Sequence, residues 1–207
     1  MYLYSRRRQV NLAKGRAALG VAVEGAHRAT EITGLDVRAW TAVFSPEFGT
    51  VMWSARIDDL EQLETASDKL NASTEFGDFI EQNDSCFSGP LQDSLSQVIS
   101  GQPGAQVPEY ITVVQARPSS GSLATAIPLA IEIAEAASRI TGLPTMLAST
   151  VTGPYGGLAW ITGSQDLKTS GEGEAKLMAD PAWMPLLERA SSAYLPDAST
   201  TILRRLA

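Results

Sequence analysis

Phe48-Gly49-Thr50-Val51-Met52-Trp53 returns later in the chain as Tyr155-Gly156-Gly157-Leu158-Ala159-Trp160, at a spacing of 107 residues. Downstream, Asp59-Leu60 returns as Asp166-Leu167, Lys69-Leu70 as Lys176-Leu177, and Phe76 as Trp183, all at that spacing. Upstream, Ile32-Thr33-Gly34-Leu35 echoes Ile140-Thr141-Gly142-Leu143 at a spacing of 108. The chain is therefore two diverged copies of one module. The repeated residues are aromatics, glycines, helix caps and helix stripes. They speak to architecture, and no cluster among them amounts to a catalytic signature.

Around the first copy of the repeat, Asp36 to Ser45 and Gly49 to Ile57 read as two strands joined through Pro46-Glu47-Phe48, a hairpin. Alternation puts Trp40, Ala42 and Phe44 on one face and Val43 on the other, while Val51, Trp53 and Ala55 oppose Met52. Both faces are apolar, whereas a sheet wet on one side alternates with polar residues. Both faces must be covered. Met1 to Arg7 reads as a first strand, with Tyr2 and Tyr4 on one face. A helix is expected from about Gln9 to Ile32, because Leu12, Leu19, Val23, Ala26 and Thr30 share one sector at about 100° per residue. Ala18, Ala22 and Ala29 widen that sector. Gly15, Gly20 and Gly25 each weaken the helix by about 1 kcal/mol relative to Ala, and suit close approach to a neighbour.

Asp58-x-x-Glu61 resembles a capping box, and Leu60, Leu63, Ser67 and Leu70 follow at helical spacing. Ser73 caps a further short helical piece carrying Phe76, Phe79 and Ile80. Ser94 to Ser100 supplies a fourth strand. The order β-α-β-β-α-β is the ferredoxin-like one. Residues 101–108 are Gly- and Pro-rich and read as a linker. The order then repeats with strands at Tyr110–Gln115, Thr145–Thr152, Gly157–Thr162 and Ser199–Arg204. Helices are expected over Ser120–Arg139, with Pro128 marking a kink or a late helix start, and over Asp166–Met178. Asp180-Pro181 reads as an N-cap followed by Pro at the first helical position.

The expected fold is thus α+β: two tandem ferredoxin-like βαββαβ modules, 1–100 and 109–207, packed sheet to sheet as a pseudo-symmetric α+β barrel. The hairpin with Gly-x-x-x-Trp, then Asp-Leu, Lys-Leu and an aromatic further on, resembles the dimeric α+β barrel superfamily. Within it, the NIPSNAP-like and antibiotic-biosynthesis-monooxygenase-like modules are the nearest in pattern. The resemblance implies a pocket between sheet and helices. It also implies a range of activities that includes cofactor-less oxygenases, haem-degrading enzymes and small-molecule isomerases. Haem-degrading relatives use a helix histidine with a tryptophan and an asparagine. Here the one histidine, His27, lies on the first helix and the second module has none, so no cofactor is expected. The second module accordingly reads as the scaffold half.

The net charge of −7 argues against nucleic acid as a partner, because phosphate binding needs concentrated positive charge. Arg6-Arg7-Arg8 reads as a solvated strand end, with an anion or carboxylate contact as the sharper alternative. With Ser5 and the apolar run after it, the cluster faintly resembles an export signal, but the matching strand and helix in the second copy favour folded structure. Cys86 is the single cysteine, which leaves no disulfide and no Cys-based metal site. No metal is expected, and a reducing, cytoplasmic setting is the simple inference. No run approaches the roughly 20 apolar residues of a membrane span.

Candidate site residues are few. His27 is the candidate general base. Tyr4, Trp40, Trp53 and Trp160 are candidates to contact a substrate, the tryptophans by lining a flat apolar pocket. Two functional readings follow. One is an assembly or small-molecule-binding protein, with a small apolar ligand and self-association or a protein partner. The other is a cofactor-independent monooxygenase-like enzyme acting on an apolar aromatic substrate, with Tyr4, Trp53 and His27 positioning it and accepting a proton.

Overall fold

The computed structural model describes residues 1–207. The first half of the chain forms β1 (Tyr2–Val10), α1 (Gly15–Thr33), β2 (Arg38–Val43), β3 (Thr50–Ile57), α2 (Leu60–Ala72), α3 (Thr74–Asn83) and β4 (Phe87–Ser100). The second half forms β5 (Tyr110–Ala116), α4 (Leu123–Thr141), β6 (Thr145–Thr150), β7 (Leu158–Ser164), α5 (Leu167–Ala179), α6 (Trp183–Ser191) and β8 (Ser199–Arg205). The eight strands close into one barrel in the order β1-β3-β2-β8-β5-β7-β6-β4. Within each copy the order is β4-β1-β3-β2 or β8-β5-β7-β6, the ferredoxin-like arrangement. Two compact units are formed: unit 1 is Met1–Ser96 with Arg204–Ala207, and unit 2 is Gln97–Leu203. β4 and β8 therefore each contribute to both.

In unit 1, β3 pairs antiparallel with β1 and with β2, with Arg6 opposite Trp53, Tyr4 opposite Ala55, and Trp40 opposite Met52. Residues opposite one another share a face and neighbours along a strand do not. Trp53 therefore stands on the face that carries Tyr4 and Arg6, and its indole N–H donates to the Ala22 carbonyl of α1 at 2.8 Å. Trp40 stands on the other face and donates to Ser54 Oγ at 2.9 Å.

Unit 2 repeats the plan. β7 pairs with β5 and β6, with Trp160 opposite both Val114 and Leu147. The Trp160 indole donates to the Ala130 carbonyl of α4 at 2.9 Å. Its ring meets Tyr194 edge-on, with centroids 5.8 Å apart. The Tyr194 hydroxyl donates to the Ala126 carbonyl at 2.7 Å.

The short sequence echoes have local causes. Gly34 and Gly142 end α1 and α4 at φ +78° and +75°, a left-handed conformation that glycine adopts without steric cost. Thr33 and Thr141 brace the same turns. Each hydroxyl donates back to a helix carbonyl, Ala29 at 2.6 Å and Ala137 at 2.7 Å, and accepts the N–H of Leu35 or Leu143. Asp59, and not the Asp58 of the expected capping box, caps α2 by accepting from Gln62 N, while Gln62 Oε1 accepts from Asp58 N; Asp166 caps α5 by accepting from Thr169 N.

Four local expectations are corrected. β1 runs on to Val10, a 3-10 turn at Leu12–Lys14 follows, and α1 starts only at Gly15. Leu12 is consequently 69% exposed, and the buried side of α1 is Ala18, Ala22, Gly25, Ala26 and Ala29. Phe44 leaves β2 with φ +49° and is 80% exposed. β4 begins at Phe87, so its polar first half pairs as strand rather than standing as loop. Asp180 accepts from Ala182 N at 2.9 Å within a turn, and α6 starts after it at Trp183, so Pro181 is not a helical residue.

Because each indole ties the sheet to the first helix, Trp53→Phe and Trp160→Phe should each lower stability by about 1–2 kcal/mol through the lost hydrogen bond and the missing volume. Urea unfolding followed by circular dichroism measures this. An unchanged midpoint in both variants would remove the indole bond from the account of the fold.

Candidate functional site

The polar cluster of unit 1 is built on β1 and β4. Arg6 clamps Asp93 with two hydrogen bonds, Nε to Oδ1 at 2.7 Å and NH2 to Oδ2 at 2.8 Å, the bidentate geometry in which a guanidinium matches a carboxylate. Tyr4, two residues before Arg6 on the same face, is half-buried beside the pair. Burial pushes its phenol up to about 12; the Arg6 charge opposes this and Asp93 reinforces it. The hydrogen bond from Arg6 holds the Asp93 carboxyl below the ordinary carboxylate range. Tyr4 is therefore a protonated hydrogen-bond donor across the neutral range. On the opposite face, the hydroxyls of Ser5 and Ser94 are 2.8 Å apart.

Arg8 continues the row. It reaches Asp84 at 2.6 Å and lies over the Phe87 ring, 5.2 Å from its centroid. Phe87 in turn meets Trp53 edge-on at 5.8 Å. The basic run thus makes carboxylate contacts through Arg6 and Arg8. Asp93 and Asp84 escaped sequence reading because they lie 87 and 76 residues from their partners.

The sequence-derived candidates are only partly brought together. Tyr4 and Trp53 share one face of unit 1. Trp40, 2% exposed, is on the other face, and Trp160 belongs to unit 2. His27 is an exposed residue of α1. The indole N–H groups of Trp40, Trp53 and Trp160 are all satisfied within their own units. No group of three or more His, Cys, Asp or Glu side chains is arranged to hold a metal ion.

In unit 2, α4 and α6 leave a groove of about 490 Å³ between them. Its apolar lining includes Ala136, Ile140, Trp183 and Leu186, and its polar rim carries Glu132, Glu135, Arg139 and Arg189. Arg189 clamps Glu132 at 3.0 and 2.7 Å. Trp183 is only 7% exposed, yet its indole N–H has no hydrogen-bond partner. A buried donor without an acceptor is uncommon in folded proteins. Sequence reading identified Trp183 as the counterpart of Phe76. It did not reveal the groove, which depends on how the two helix faces meet.

No family model matches the chain, and no curated protein matches it by sequence. Solved structures match it by fold over its whole length. A candidate monooxygenase from Fusobacterium nucleatum superimposes with a TM-score of 0.72 at 10% identity, covering 100% of this chain and 92% of that one. An anthrone oxidase-like protein gives 0.65 at 9% identity, covering 99% and 90%. A mutant chlorite dismutase from Candidatus Nitrospira defluvii gives 0.53 at 9% identity, covering 99% and 92%. At such identities the likeness is one of fold: this chain shares the α+β barrel architecture of these proteins.

Tyr4 and Tyr194 are both pushed up to about 12, in each case chiefly by burial. When phenolate absorbance is followed against pH, Tyr4→Phe and Tyr194→Phe should each delete one late step near pH 12. A phenol whose folded pKa lies above its unfolded value of about 10 contributes stability that is complete below that pH. That stability is lost as pH rises through about 12. Asp93 has the opposite sign, because its carboxyl is depressed in the folded protein. Asp93→Asn should be less stable than the native protein at neutral pH, and the gap should close as pH falls below about 4.

Proposed function

We propose that the protein binds a small apolar molecule, and that the groove between α4 and α6 is where it does so. One observation carries this reading: a groove of about 490 Å³, partly apolar in its lining. That volume lies within the range of ordinary ligand sites. By contrast, Trp40, Trp53 and Trp160 already commit their polar atoms to internal hydrogen bonds. We read the two copies of the module as 1–100 and 109–207, joined by 101–108, and the setting as cytoplasmic. No helix is long and apolar enough to cross a membrane.

A second reading is a cofactor-independent monooxygenase-like enzyme acting on an apolar aromatic substrate. The whole-length fold likeness to candidate monooxygenases favours it, although fold alone does not carry activity. In that reading the Tyr4 phenol, protonated at neutral pH, donates to a substrate oxygen beside Trp53, and His27 accepts a proton. Self-association or a protein partner has its own support in exposed aromatics at the hairpin tips: Phe44, Phe48 and Tyr155 are 80, 68 and 92% exposed.

Native mass spectrometry on gently purified protein separates these readings. Binding in the groove predicts a retained mass of small-molecule size that Ala136→Arg removes and that His27→Ala leaves in place. A native protein without added mass, or an Ala136→Arg variant that retains it, sinks the binding reading. Loss of turnover of an aromatic substrate in His27→Ala would replace it with the enzyme reading.

A further inference from the structure

We infer that the β2–β3 hairpin tip of unit 1, with the 3-10 turn beside it, docks on an anionic lipid surface. The tip supplies exposed apolar side chains, and the turn adds one more together with cations. This goes beyond the small-molecule reading and does not depend on the α4–α6 groove.

Within unit 1 the three most exposed large apolar side chains are Phe44, Leu12 and Phe48, at 80, 69 and 68%. They come from two segments that the backbone brings together. Val10 N donates to the Gly49 carbonyl at 2.7 Å, which ties the end of β1 to the hairpin turn. A Cβ at Gly49 would stand 3.3 Å from a Leu12 methyl, so Leu12 lies beside the residue that follows Phe48. Phe44 enters the same turn. Large exposed apolar groups gathered in one place mark interaction surfaces, whereas scattered single ones do not.

The tip is held in this state. Phe48 N donates to the Ser45 carbonyl at 3.0 Å, Thr50 N to that of Glu47 at 2.9 Å, and Gln9 Nε2 to that of Phe48 at 3.3 Å. Beside it, the Asn11 side chain accepts from Ala13 N at 3.2 Å and fixes the turn that carries Leu12. Phe44, at φ +49°, is the one non-glycine residue with a positive φ. That conformation is unfavourable for phenylalanine and easier for asparagine. The fold therefore tolerates backbone strain at a residue whose ring stands in water, and such outliers cluster at functional places.

Charge chooses the occupant. Residues 11–17 hold Lys14 and Arg16 and no acid. Both are exposed; Lys14 Nζ donates to Ser85 Oγ at 2.7 Å, and neither cation is in an ion pair. Asp84, next to Ser85, is paired with Arg8 at 2.6 Å. The one acid of the hairpin turn, Glu47, has its Oε2 closed off from solvent. Free cations beside projecting apolar groups match anionic headgroups and the acyl boundary beneath them. A stable protein partner takes about 800 Å² from each side, more than three partly covered side chains present. Unit 2 gives the contrast. Its hairpin has Val151 and Tyr155 at the positions of Phe44 and Phe48, but Leu12, Lys14 and Arg16 correspond to Ser120, Ser122 and Ala124.

Vesicle flotation tests this, with phosphatidylcholine alone and with phosphatidylcholine and phosphatidylglycerol in equal parts. The native protein should float with the mixed vesicles, and high salt should weaken the association. Phe44→Asn and Phe48→Ser should each lower the partition coefficient by about tenfold. Lys14→Gln and Arg16→Gln should each lower it by about fivefold, and Tyr155→Ser should leave it unchanged. Phe44→Asn should unfold in urea no earlier than the native protein, which separates loss of docking from loss of fold.

Equal flotation with the two vesicle types, or flotation that Phe44→Asn and Phe48→Ser leave intact, overturns the inference. An equal loss in Tyr155→Ser overturns its assignment to unit 1. Absence of flotation overturns it as well, and a dimer that Phe48→Ser dissociates would then make the tip a contact between two copies of this chain.

Discussion

The rest of the fold depends on one hydrogen bond made twice: an indole N–H from the third strand of each copy to a main-chain carbonyl of the first helix. Trp53 reaches Ala22 and Trp160 reaches Ala130. A ring that large, tied to the helix backbone, leaves little room for side chains on the helix. The buried face of α1 is accordingly Ala18, Ala22, Gly25, Ala26 and Ala29, and that of α4 includes Ala126, Ala130 and Ala134. At Gly25 an added Cβ would already stand 3.5 Å from Phe79 and 3.7 Å from the Trp53 indole nitrogen. The volume of the core is thus supplied by the sheet and its closeness by the helix. The Thr-Gly turns at 33–34 and 141–142 then stop the two helices in the same way, and Lys69 and Lys176 reach the carbonyls of Thr33 and Thr141, where a cation is favoured.

How much of this was legible in the sequence follows from how local each interaction is. The helix stops and the hairpins depend on neighbours a few residues away, and repetition doubled each signal, whereas the cap of α2 was read one residue early, at Asp58 instead of Asp59. The buried stripe of α1 was placed off its true centre because leucine outweighs alanine in an apolar pattern. The deciding constraint there, the Trp53 ring, comes from another element. The first half of β4 was missed for the same reason. Its polar residues do not alternate with apolar ones, and they become strand by pairing with β1. The Arg6–Asp93 clamp needed that register before it could be seen.

The candidate site was less legible than the fold, and for a distinct physical reason. Tryptophan is a pocket residue when its ring faces a void and a structural residue when its N–H is already bound. Sequence does not tell these apart. Trp40, Trp53 and Trp160 all proved to be bound. Trp183, noted only as an aromatic counterpart, is a core residue whose indole N–H is buried without a partner. The informative signal was present in the alignment of the two copies, as Arg28 against Ala136 and Glu75 against Ala182. It acquires meaning only when α1 and α3 are known to face each other through those positions.

That comparison also sets the two halves apart. The second copy has no histidine and read as the scaffold half. Yet unit 1 fills its helix–helix groove with an internal ion network, Glu24–Arg28–Glu75 over Phe79, while unit 2 keeps the groove open. Exposed ion pairs of this kind contribute little to stability, so losing the network weakens a module little. A duplicated module can therefore differ at positions 136 and 182 and keep its fold, because the indole bond at Ala130 and the buried Trp183 and Leu186 are retained.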